Sequence, residues 1–151
     1  MLVSTDRHPS RESRAFARAF ASSIGSFYRA RGKKTVDALV SEARKKGENI
    51  LSIVSSSEIS FISISVSSWG WKQKTLRVIK YSFEPDLLKK PCEIGAFEGK
   101  EGKELESLFG FDAFYGGDAV LFAEGGKMRI IRKEKNLLEM EYGIQECRVE
   151  K

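Results

Sequence analysis

Little in this sequence is of the kind from which metal centres, disulfide frameworks or membrane spans are built. Histidine occurs once, as His8, and cysteine twice, as Cys92 and Cys147. Neither cysteine has a Cys or His close by, so no metal-ligand spacing exists, and the two read as free thiols in a reducing compartment. No apolar run approaches the roughly 20 residues of a membrane helix. Met1 to Arg7 lack the apolar core of a signal peptide, so a cytoplasmic protein with no membrane partner is expected. Walker-type and Gly-x-Gly-x-x-Gly loops are missing, and His8 has no Ser or Cys arranged beside it for nucleophilic catalysis. Glu139/Glu141 and Glu146/Glu150 have the spacing of solvated faces. An enzyme is not expected, and no cofactor is implied.

What the chain does have is positive charge at one end. Its 26 Lys/Arg and 21 Asp/Glu leave a net charge of +5. Residues 1–46 hold eleven Lys/Arg against four Asp/Glu, so the basic excess sits in the first third and the remainder is nearly neutral. A field of this shape attracts a phosphate backbone, because Lys and Arg release its condensed counterions. The 151 residues suffice for one domain, and a 41% hydrophobic fraction with ten Phe, four Tyr and two Trp argues for a folded globule.

Leu2-Val3 reads as a short buried strand running into a turn. Ser10 is placed to cap a helix that runs to Ile24 and stops at Gly25. Phe16, Phe20 and Ile24 form its apolar face, while Arg11, Arg14 and Arg18 lie within about 60° of one another on roughly the opposite side. Ser26 to Tyr28 is a short strand, and Arg29 to Lys34 a basic turn. Thr35 caps a second helix that ends at Gly47, and Asn49 to Val54 suits a strand buried on both faces. This alternation predicts an α/β layer structure.

A β-hairpin follows, with Ile62, Ile64 and Val66 alternating with serines and a return strand from Thr75 to Phe83. Its turn is expected to contain Trp69-Gly70-Trp71-Lys72. Ile94 to Gly102 reads as turn-rich, with a short helix near 103–109. Residues 118–132 form a second hairpin about Gly125-Gly126, and 137–142 and 144–149 are two further strands. Trp69 and Trp71, with Lys72, fit a stacking platform for unpaired bases, a contact with a protein partner, or packing onto the core.

The segment from Ser4 through Thr5-Asp6-Arg7-His8-Pro9-Ser10-Arg11 to Arg14-Ala15-Phe16 resembles the opening signature of the Brix-domain ribosome-biogenesis proteins. In that family a Ser/Thr-rich strand end leads into an Arg-x-Pro-Ser turn and a helix carrying Arg-x-Phe. A second block, Arg31-Gly32-Lys33 followed by Leu39, Glu42, Ala43 and Gly47, matches as well. The short length is similar to the archaeal, single-domain members. The resemblance implies a single Brix-like domain over 1–151, with halves of about 1–75 and 76–151. It further implies an α/β fold of mixed sheets flanked by helices, the two related halves resembling the anticodon-binding domain of class IIa aminoacyl-tRNA synthetases. The implied role is binding of ribosomal RNA or its precursor during processing and subunit assembly, without catalysis and beside other assembly proteins.

The residues allow the same reading: a turn entering a helix offers N–H groups and a favourable dipole to an anion. Arg7, His8, Ser10, Arg11, Arg14, Arg18, Arg31, Lys33 and Lys34 are the candidate RNA contacts. A tRNA-binding accessory protein and a protein-interaction module within pre-ribosomal particles are the competing readings.

Overall fold

The structure is a computed structural model that describes residues 1–55, 59–67, 70–109 and 116–147. Its elements run β1 (Leu2–Thr5), α1 (Arg11–Ser23), β2 (Phe27–Tyr28), α2 (Val36–Lys45), β3 (Ile50–Ser55), β4 (Ser60–Ser67) and β5 (Gly70–Phe83). Then come β6 (Ile94–Glu98), α3 (Gly102–Phe109), β7 (Ala119–Glu124), β8 (Lys127–Arg132) and β9 (Lys135–Cys147). The expected mixed α/β architecture is present, and the strands join into one nine-stranded sheet in the order β2-β1-β3-β4-β5-β9-β8-β7-β6.

The two halves repeat one strand pattern. In the first, β1 is parallel to β3, β3 antiparallel to β4, and β4 antiparallel to β5. In the second, β6 is parallel to β7, β7 antiparallel to β8, and β8 antiparallel to β9. The final strands of each set, β5 and β9, pair antiparallel along the seam. The first half carries an additional β2–α2 unit between its first helix and its second parallel strand.

Alternation along β1 assigns the helices to opposite faces of the sheet, because successive strand residues point to opposite sides. Val3 packs with Phe16 and Phe20 of α1 and with Ile24, its C-cap, while Leu2 packs with Leu39, Val40 and Ala43 of α2. All four residues of β1 are therefore buried. Both helices begin and end with the local chemistry their sequences predict. Ser10 Oγ accepts from Ser13 N at 3.0 Å, and Thr35 Oγ1 accepts from Ala38 N at 3.1 Å. At the C-terminus of α1, Ser26 N donates to Ala21 O at 2.8 Å and Gly25 N to Ser22 O at 3.3 Å, with Gly25 at φ +66°.

Three elements differ from the sequence expectation. Ile94 to Glu98 is a strand and not a run of turns; Gly95 lies so close to the Gly117 backbone that a Cβ would sit 2.5 Å from the Gly117 carbonyl oxygen. This glycine serves close strand approach beside a register shift. The two strands expected after residue 136 are one, since Gly143 pairs with Arg77 and stays in the ladder. Trp71 and Lys72 belong to β5, because Ser67 pairs with Gly70 and leaves only two residues to connect the strands. Trp69 lies outside the described residues, as do the side chains of Trp71 and Lys72.

Candidate nucleic-acid interface

β1, β2 and β3 run parallel, so the turn into α1, the loop into α2 and the end of β3 share one edge of the sheet. Backbone bonds knit this edge together: Arg29 N donates to Val3 O at 2.8 Å and Asp6 N to Val54 O at 3.1 Å. Ser4 Oγ adds a bond to Arg29 O at 2.6 Å.

Arg31 holds the two basic stretches side by side. Its Nη1 donates to Thr5 O at 3.1 Å and its Nε to Lys34 O at 2.6 Å, and the residue is only 8% exposed. Burial, followed by the nearby positive charge of Arg7, pushes the Arg31 pKa down, and Asp6 pulls it partly back. The bond from Arg31 to Thr5 O, not this electrostatic effect, is what makes the α1 turn and the α2 loop neighbours. Arg31 itself faces the backbone carbonyls and not solvent.

The other candidates divide by what already holds them. Ser10 is engaged as the α1 cap and donates its own proton to Ser13 Oγ at 3.1 Å. Lys34 Nζ lies 3.7 Å from Glu42, whose other oxygen accepts from Arg29 at 3.0 Å. Arg18 stacks its guanidinium 5.3 Å from the ring centre of Tyr28. Arg7, His8, Arg11, Arg14 and Lys33 are exposed, and among the described residues none of these side chains pairs with a carboxylate. Glu12, the acid within the first turn of α1, accepts from the Tyr81 hydroxyl on β5 at 2.5 Å. It is thereby drawn to the opposite flank of α1 from the arginines.

Tyr28 and Glu42 are the residues that sequence reading missed. Tyr28 orients Arg18, and Glu42 neutralises the cations nearest α2. Neither pairing has a signal in local spacing, since each joins separate elements.

The corresponding turn of the second half has the opposite character. Between β6 and α3, Glu101 accepts from Gly126 N at 3.1 and 3.2 Å and from the Tyr142 hydroxyl. A carboxylate closes that turn from within. A concavity of about 470 Å³ lies where β5, β9, β8 and β7 run side by side, lined by Lys80, Ser82, Phe122, Lys127, Arg129 and Glu141 among others. There Lys127 faces Glu141 and Arg129 faces Glu139 in register, so charges of both signs alternate. Among the described residues no group of three or more His, Cys, Asp or Glu is placed to hold a metal ion. No helix among them is long and apolar enough to cross a membrane.

The fold has counterparts of known structure. The fold is shared. A probable ribosomal biogenesis protein from Aeropyrum pernix K1 superposes with a TM-score of 0.72 at 16% identity, over 94% of each chain. Mil, an archaeal Imp4-like protein, superposes with a TM-score of 0.72 at 19% identity, over 97% of this chain and all of its own. No family model matches the sequence, and no curated protein matches it.

Proposed function

We propose that this protein is a ribosome-biogenesis factor that binds ribosomal RNA or its precursor and acts by binding alone. The observation that carries this reading is the exposed row Arg7, Arg11 and Arg14, free of carboxylate partners among the described residues and beside Lys33. Arg18 extends the row toward Tyr28. Guanidinium groups grip phosphate oxygens in pairs, and a row of them along a helix suits successive phosphates of one strand. In this reading Arg31 is a positioning residue that keeps the α2 loop against the α1 turn, and His8 is a surface contact. Likeness of fold to proteins named for ribosome biogenesis and to an Imp4-like protein supports the cellular role.

Crosslinking in cells followed by RNA sequencing tests the assignment. Fragments of ribosomal RNA or its precursor are the expected yield. Recovery of tRNA anticodon loops instead would replace it with a tRNA-binding role. Partners that persist after nuclease treatment, with no RNA crosslinked, would replace it with protein-mediated assembly.

A further inference from the structure

The sheet edge next to the arginine row carries an aromatic side chain in an unusual setting. β2 is the outermost strand, and Phe27 is 53% exposed there. In register, Phe27 pairs with Leu2 and Tyr28 with Val3, so the two rings leave opposite faces of the strand. Each ring has a cation over it from a different helix. Lys46, the C-cap of α2, places Nζ 5.1 Å from the Phe27 ring centre, and Arg18 of α1 stands 5.3 Å from that of Tyr28.

A single exposed hydrophobe is ordinary on a protein surface. This one carries the Lys46 ammonium over its ring, adjoins Tyr28, which carries the Arg18 guanidinium on the other face, and lies on an edge strand only two residues long. So short an edge offers too few backbone groups to add a peptide strand stably. A half-exposed aromatic ring at an edge that cations reach from both faces is instead the combination on which unpaired nucleobases stack.

We propose that Phe27 is a base-stacking residue and that this surface takes RNA with at least one unpaired nucleotide, the phosphates following Arg7, Arg11, Arg14 and Arg18 while a base covers Phe27. This rests on the RNA-binding reading above and names the kind of RNA it prefers. A base displacing Lys46 from the ring would leave the ammonium free for the adjoining phosphate.

The test compares a labelled single-stranded oligoadenylate with a mixed-sequence RNA duplex of equal length, using the full chain. Phe27→Ala should weaken binding to the single strand by about five-fold or more and leave duplex binding and both salt slopes unchanged. Phe27→Tyr should restore it, and thermal melting of both variants should match the parent. Equal weakening on both probes, or failure of Tyr to restore binding, would overturn the stacking role. If Phe27→Ala changes neither probe while Arg11→Ala/Arg14→Ala weakens both, the stacking inference falls and the RNA reading stands. If the unaltered protein binds neither probe, both fall.

Discussion

Phe20 of α1 and Phe109 of α3 meet edge to face, with ring centroids 5.4 Å apart. The contact joins the first helix of each half across one face of the sheet, and Phe20 is fully buried within the larger core cluster. That core is therefore shared between the halves. Truncation of Phe20 removes the edge-to-face pair and leaves a cavity, so Phe20→Ala should cost about 3–5 kcal/mol. Urea denaturation should show a single transition shifted to lower denaturant; two separate transitions would contradict a shared core.

Arg31 and Arg7 should differ in what their substitution costs the fold. Arg31→Met removes the donors to the Thr5 and Lys34 carbonyls, at a cost of about 2 kcal/mol for a buried charge-assisted pair of bonds. Arg7→Ala removes an exposed group that repels Arg31, and stability should stay within about 0.5 kcal/mol. Denaturation midpoints check both values. Affinity for RNA should fall in each variant, through loop position in the first and loss of a contact in the second.

Five exposed cations, Arg7, Arg11, Arg14, Arg18 and Lys33, set the expected ionic signature. With about five phosphates neutralised, log affinity against log salt should have a slope near −3.5 to −4.5. Arg11→Ala/Arg14→Ala should reduce that slope by about two across structured RNAs alike, without altering the melting temperature. A slope that does not move would remove this surface as the RNA contact.

Alkaline pH should loosen the fold through two tyrosines. Burial first, then the hydrogen bond to Glu12, pushes Tyr81 up to about 12; burial and Glu101 push Tyr142 up as well. The folded state holds these protons while an unfolded tyrosine releases them near the ordinary value of about 10. The stabilising contribution is thus complete below about pH 10 and is lost as pH rises from there through the folded values. Denaturant midpoints measured across this window should fall with pH, and Tyr81→Phe should make the fall shallower.

Much of the local structure is legible in the residues. Ser10 and Thr35 cap the two helices, Gly25 and Gly47 end them, and Gly125-Gly126 turns the β7–β8 hairpin at φ +62° and +73°. Each of these depends on bonds within a few residues, which short-range chemistry reveals. β6 was hidden because Gly95 and Gly99 read as turn residues, whereas Gly95 answers to the Gly117 backbone more than 20 residues away. The candidate site divides in the same way. The arginine row of α1 follows from helical spacing alone, but the inward turn of Arg31 does not, because its acceptor at Thr5 belongs to a different strand.

The order of residues by itself determined where the charge lies, which helix face shows arginine and where each helix begins and stops, since all of these are matters of composition and local hydrogen bonding. Only the tertiary structure decided which cations remain available, by bringing Glu42 to Arg29 and Lys34, Tyr28 to Arg18 and two carbonyls to Arg31. It also left Phe27 half-exposed at the sheet edge beneath Lys46. The reason is that pairing and exposure depend on contacts between elements far apart in sequence, and these exist only once the parallel strands have brought their ends together.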